Sequence, residues 1–459
     1  MVKIAPFKGY VYNPDEIASH GGLLTSPPYD VLTQAQKDGY HRSHPHNFLH
    51  LDLGPVLPKD KDPLAWHTRS AKLLKEWLRE KVLIRQKQPA IFLIDTDWIH
   101  PVSGRKQTRH GLMCLMRLVK PTKASDVRPH EKTFSYHKQE RLALMEKTGA
   151  QLSPVFGFFP DQDSQILKTM FDYSRTDPDI FIAERSGLVH SVSFLQTPET
   201  VGHLVRAMAE KTVYIADGHH RYETALNYSE MVKSSLGGQV DEYSAINYVM
   251  VYLCPMSDPG LCILPTHRLL NHLDMSNEAV LEALSPLAEI KEYPFGPGGE
   301  KTARRVLSAK LAEDNKKGLS VFGLYLSGAR SCYLLKVRER IKQSLVEASP
   351  ESKELVALDV SILTQVIFLQ GLGLSEEDMD RPELISYISS TTEAIRGVTS
   401  EQVRAAFLVN PTTVEEILKV TEEGLVMPRK ATYFYPKVSN GLVVNLLDPS
   451  EIISAPLIR

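Results

Sequence analysis

The sequence predicts a mixed α+β protein, and three observations carry that expectation. An apolar, β-favouring run at 213–216 breaks on the turn dipeptide Asp217-Gly218 and re-enters as a helical pattern in Arg221, Tyr222, Ala225 and Leu226. Strand-like runs and amphipathic helical segments both recur along the rest of the chain. With 459 residues, 42% apolar and 24% charged, the composition is globular and the length exceeds one comfortable core, so two or three domains are expected.

Taken in order, the region 1–115 reads as an α/β start. Pro27 and Pro28 fix φ in an extended loop and hold Tyr29 and Asp30 on a stiff segment suited to a binding site. Residues 63–82 form an amphipathic helix around Trp66, Leu73, Leu74, Trp77 and Leu78, and 89–98 and 111–118 are strands joined by a solvated basic loop at 103–109. The region 116–270 is expected to be the functional core. Pro129 allows a helix to begin just after it, which places His130 and Glu131 in a first turn. A helix at 137–148 with Arg141, a strand at 153–159 and a helix at 163–175 follow. Beyond the central junction come a helix at 219–233, a strand at 247–253, and Pro265-Thr266-His267-Arg268 where the apolar run 261–264 ends.

From 271 to 459 the sequence turns helix-rich and acidic and reads as a C-terminal α/β domain. A strand at 292–295, a helix at 301–313, a hairpin over 319–326 and 331–338, a buried helix at 355–369 and a helix at 413–423 stopped by Gly424 are expected. The stretch 295–302 is an ordinary loop and not a Walker phosphate loop, because Glu300 stands between Gly299 and Lys301. Residues 427–437 set Arg429, Lys430 and Lys437 among aromatics and prolines, and are expected to fold back so that they meet 217–221.

Chemistry concentrates at the central junction. Where a strand runs into a helix N-terminus, unpaired backbone N–H groups and the positive end of the macrodipole make an anion site, and Gly218 admits close approach to the backbone. His219, His220 and Arg221 add donors there, Arg with a fork that suits phosphate. The bland reading of the same residues is a polar helix cap. A cradle, spare cations and a separated carboxylate are the minimum for phosphoryl transfer, in which Asp217 helps hold Mg²⁺ while Gly218, His219, His220 and Arg221 grip the phosphates of ATP or ADP.

The Asp-Gly-His-His-Arg run after a strand resembles the archaeal free L-serine kinase family of the ParB/sulfiredoxin superfamily. The whole chain resembles the family of the domain of unknown function numbered 1015, through Pro27-Pro28-Tyr29-Asp30, His130-Glu131-Lys132-Thr133, Asp217 to Arg221, Pro265-Thr266-His267-Arg268 and the 427–437 segment. The resemblance implies a ParB/sulfiredoxin-like nucleotide-binding core over 116–270 with α/β additions on both sides. It further implies that Glu131 is the base, that Lys430 and Thr432 reach the acceptor, and that the acceptor is a small hydroxylated metabolite, free L-serine first. Tyr29, Asp30, His267 and Arg268 stand as further substrate-binding candidates, and Asp217 and His220 join Glu131 in the catalytic set.

Composition narrows the alternatives. A net charge of −2 argues against a general nucleic-acid binder, and no apolar run approaches the roughly 20 residues of a membrane span. The start of the chain has no long apolar signal region, so a cytoplasmic location is expected. The four cysteines form no C-x-x-C pair and read as reduced core thiols. A sulfinic-acid reductase needs a Cys where His219 stands. The remaining alternative is a nucleotide-binding regulatory switch of ParB-like type, in which the same cradle controls protein contacts without small-molecule phosphotransfer.

Overall fold

The computed structural model describes residues 1–453 other than 59, 61, 63, 64, 123, 124, 132–134, 175, 176, 297, 298, 350 and 351. These residues form a mixed α+β structure with several sheets, divided into one unit of Met1–Cys262 with Pro436–Arg459 and another of Ile263–Tyr435. In the first unit a nine-stranded sheet runs in the order Val127–Pro129, Val213–Asp217, Val155–Phe159, Tyr248–Pro255, Lys106–Arg117, Ile91–Ile99, Val189–Leu195 and Ile180–Ala183, and Ile4–Ala5 pairs with Lys106–Arg117. All eight residues of Tyr248–Pro255 are buried, as a central strand covered on both faces requires. The edge strand Ile180–Ala183 instead alternates buried and exposed positions. The helices Gln165–Tyr173 and Pro198–Ala209 contribute Ile166, Met170, Leu204 and Met208 to the same apolar cluster as the strand residues Leu112, Val251 and Ile215.

Two pairings in that sheet are parallel, Val127–Pro129 with Val213–Ile215 and Val155–Phe159 with Tyr248–Pro255. Between them Val213–Asp217 runs antiparallel to Val155–Phe159, with the register shifting between Ile215 and Asp217. The irregularity lies where the strand gives way to the helix His219–Ser235, a common place for a bulge that re-aims a side chain.

The second unit holds a six-stranded antiparallel sheet, in the order Ala288–Pro294, Ser331–Val337, Val321–Leu326, Ala405–Leu408, His267–Leu270 and Ile385–Ile388. Period-two alternation divides its side chains between two cores. Leu270, Leu324 and Phe407 join one cluster, and Leu269, Tyr325 and Ala406 join the other.

Several expected elements appear within a few residues of their expected bounds, among them Ala65–Arg79, Val155–Phe159, Gln165–Tyr173 and Val414–Glu422 with its Thr413 capping box. Others differ. His130 and Glu131 are not helical: Val127–Pro129 is an edge strand of the sheet, where proline's missing N–H is tolerated, and the next helix among the described residues is Ser135–Thr148. Arg109 is not part of a solvated loop but lies within Lys106–Arg117, 1% exposed. The expected helix at 355–369 is interrupted at Leu358, extended at ψ 138°, which separates Lys353–Val356 from Asp359–Ile362, and the latter runs on into a π-helical Leu363–Gly371. His267 and Arg268 follow the strand Cys262–Leu264, as expected, and themselves open the buried strand His267–Leu270. Lys132 and Thr133 of the His-Glu-Lys-Thr motif lie outside the described residues, as do Pro297 and Gly298.

Candidate functional site

The site grows from the end of the strand Val213–Asp217. Gly218 caps the helix at φ +85°, a left-handed conformation that glycine adopts without Cβ strain. A Cβ there would meet the Arg221 guanidinium, 2.8 Å from Nε, so glycine is needed both for the turn and for the Arg to fold back over it. Tyr222 and Ala225 anchor the helix in the apolar core, and the Tyr222 hydroxyl donates to the Val119 carbonyl at 2.8 Å. That anchoring fixes the orientation of the first turn.

Asp217 is gripped by two cations. One carboxylate oxygen accepts from Arg221 Nη2, and the other accepts from Lys437 Nζ at 2.5 Å. All three side chains are largely buried, at 16%, 12% and 13% exposure. Burial pushes the Asp217 carboxyl up, but Lys437 and Arg221 overcome it and hold the group well below the usual carboxylate range. Arg221 also donates to the Pro154 carbonyl. Lys437 is itself positioned by Arg109, which stacks 5.0 Å from the Phe156 ring centroid and 5.1 Å from that of Tyr252 and donates to the Pro436 carbonyl.

The neighbouring parallel strand brings the second motif. With Ile215 opposite Pro129, the chain leaves both strands at their carboxyl ends side by side, Asp217 on one and His130 and Glu131 on the other. Ligands in open α/β sheets bind outside such ends. His130 is fully buried; its Nδ1–H donates to the Ile215 carbonyl, and its backbone N–H donates to His219 Nε2 at 3.2 Å. Burial keeps both imidazoles below their ordinary pKa, His219 far below it with His130 beside it, so both are neutral near pH 7. His219 is thus turned toward His130 and ties the two motifs together. His220 and Glu131 are half-buried at the same end.

The profile of the family described as Protein of unknown function (DUF1015) matches residues 4–361. The chain belongs to the DUF1015 family. Among solved structures it is similar to a conserved hypothetical protein from Pyrococcus furiosus, at 12% identity and a TM-score of 0.29, over 69% of this chain and 92% of that one. It is also similar to a variant of a free serine kinase in complex with ADP, at 12% identity and 0.33 over 72% and 95%. The same kinase in complex with AMP matches at 12% and 0.31 over 70% and 88%. No curated protein matches the sequence.

In this DUF1015 protein the remaining candidates fall in two places. Tyr29 and Asp30 sit on a short 3-10 turn of the first unit, the Tyr29 ring 3.9 Å from the Arg141 guanidinium carbon. Burial pushes the Tyr29 hydroxyl up to about 12 against Arg141 and Arg221 nearby. His267, Arg268, Lys430 and Thr432 belong to the second unit. There Arg268 donates to the Lys430 carbonyl at 3.3 Å, His267 pairs with the Thr391 hydroxyl at 2.8 Å, and the Lys430 side chain is exposed on a backbone at φ +56°. The cation of the 427–437 segment that reaches Asp217 is Lys437, whereas the resemblance points to Lys430. Asp217 fits poorly as a direct Mg²⁺ ligand, since each of its oxygens already accepts from a cation. Among the described residues no three His, Cys, Asp or Glu side chains are arranged to hold a metal. No described helix is long and apolar enough to cross a membrane.

Proposed function

We propose that this protein is a small-molecule kinase with a ParB/sulfiredoxin-like core, moving a phosphoryl group from ATP or ADP to the hydroxyl of a metabolite, free L-serine first. The observation that carries the reading is the meeting of Pro129-His130-Glu131 and Asp217 to Arg221 at the carboxyl ends of two adjacent parallel strands. The helix-start N–H groups, His220, Arg221 and Lys437 hold the phosphate oxygens. Glu131 accepts the acceptor's hydroxyl proton as that oxygen attacks the terminal phosphorus, and the bond to the departing nucleotide breaks. Asp217 fixes the Arg221 and Lys437 side chains at the cradle. Lys430, Thr432, His267 and Arg268 are not required by this reading, and no step runs through a metal.

Glu131→Gln tests it. Gln keeps the shape but accepts no proton, so turnover is expected to fall on the order of 10²–10⁴ with nucleotide binding intact, whereas Arg221→Ala weakens binding itself. Binding is read by thermal shift, where ligand at 100 times Kd stabilises by roughly 2.7 kcal/mol. Turnover of the Gln variant close to wild type removes Glu131 as the base. Nucleotide binding without transfer to any hydroxylated metabolite leaves the regulatory switch as the reading.

A further inference from the structure

A second feature of the first unit shares Arg221 with the phosphate cradle. A cavity of about 40 Å³ is lined by Asp52, Arg141, Gln151, Ser153, Arg221 and Thr224, among others. That is room for only a small ligand or part of one. Arg141, on Ser135–Thr148, and Asp52, ending the short helix Leu49–Asp52, are 5% and 3% exposed. Arg141 Nη1 donates to the Asp52 carbonyl at 2.9 Å and to its Oδ1 at 3.1 Å, and Nη2 donates to Glu140 at 3.2 Å. Asp52 Oδ2 accepts from Asn440 at 2.9 Å.

This network leaves buried donors unused. Arg141 Nε and the Thr224 hydroxyl have no hydrogen-bond partner, and Thr224 is 1% exposed. Unsatisfied buried donors are destabilising, and two on residues lining one small polar cavity point to a ligand that accepts from both. On the other side, burial pushes the Asp52 carboxyl up despite Arg141 and Arg221, so a further cation beside it is favourable.

We propose that this cavity is the subsite for a small zwitterion, an α-amino acid with a short side chain, whose carboxylate accepts from Arg141 Nε and Thr224 and whose ammonium donates to Asp52. Its role as the acceptor subsite rests on the kinase reading, through the shared Arg221; its ligand class does not. The Pro-Pro loop supports the subsite by laying Tyr29 over the Arg141 guanidinium.

The test measures binding of L-serine, ethanolamine and 3-hydroxypropanoate by calorimetry, with and without ADP. Ethanolamine lacks the carboxylate and 3-hydroxypropanoate lacks the ammonium, so each is expected to bind at least about tenfold more weakly than L-serine. Since Asp52 and Arg141 also hold two helices together, the variant read is Thr224→Val, which keeps the shape. It is expected to weaken L-serine about tenfold, leave ADP affinity unchanged and leave the unliganded protein as stable or more so. Absence of L-serine binding, equal binding of the three probes, or an unaffected Thr224→Val variant overturns the subsite. Failure of ADP to bind, with L-serine discrimination intact, overturns the kinase reading and keeps the amino-acid subsite.

Discussion

The carboxylate of Asp217 shows how much one residue's surroundings decide. A buried carboxylate flanked by two cations is stable only while both remain, since removing one leaves a charge imperfectly compensated. Lys437→Met is therefore expected to destabilise the protein by about 1–3 kcal/mol in urea unfolding. Lys430→Met, at an exposed position, is expected to stay within about 0.5 kcal/mol. Equal effects would remove Lys437 from its assigned place. The resemblance points to Lys430, and the local residues alone do not separate the two lysines. Both lie in one basic, aromatic-laced segment, and the partner that distinguishes Lys437 is 220 residues away. Arg109 escaped for a similar reason: its aromatic partners Phe156 and Tyr252 sit on other strands, so locally it reads as a polar loop residue.

At the scale of elements, legibility followed how local the determining signal is. The junction at 217–219 was readable because a turn dipeptide between a β-run and a helical period involves only neighbouring residues, and strand Val213–Asp217 followed by helix His219–Ser235 is what the chain forms. The segment after Pro129 was misread because proline suits both a helix's first turn and an edge strand, and only pairing with Val213–Ile215 decides between them. That pairing also sets Glu131 at the carboxyl end of the strand beside Val213–Asp217, so the two motifs lie on adjacent strands although no helix holds the first. Gly218→Ala tests the junction as an element. The left-handed φ costs about 1–2 kcal/mol for a residue with a Cβ, and the added methyl displaces the Arg221 guanidinium. Urea unfolding is expected to register that loss, and nucleotide titration a Kd raised by about tenfold or more; unchanged affinity would mean that Arg221's folded-back position is irrelevant to binding.

For the molecule as a whole, buried histidines set an acid limit that differs between the two units. Burial lowers the pKa of His41, His44, His50, His67, His130 and His219 in the first unit. A depressed folded pKa means that only the unfolded chain takes up the proton, so the stability is present above about pH 6.5 and is lost as pH falls below it. His110, Asp52 and Asp95 are raised and act in the opposite direction, but they are fewer. In the second unit burial takes His267 down to about 4 and Asp359 up to about 6. Between pH 7 and pH 4 the first loses about 3 kcal/mol and the second gains about 2, so the two nearly offset. The first unit is thus expected to weaken first on acidification. Its tryptophans provide the readout, because Trp66, Trp77 and Trp98 are the chain's only three and all lie in that unit, whereas far-ultraviolet circular dichroism sees both. Urea unfolding at pH 5 should shift the fluorescence midpoint below its pH 7 value and separate it from the dichroism transition. A fluorescence midpoint at pH 5 equal to or above that at pH 7 would mean that the buried imidazoles are protonated in the folded state, His130 and His219 among them, and the neutral His130–His219 contact joining the two motifs would have to be redrawn.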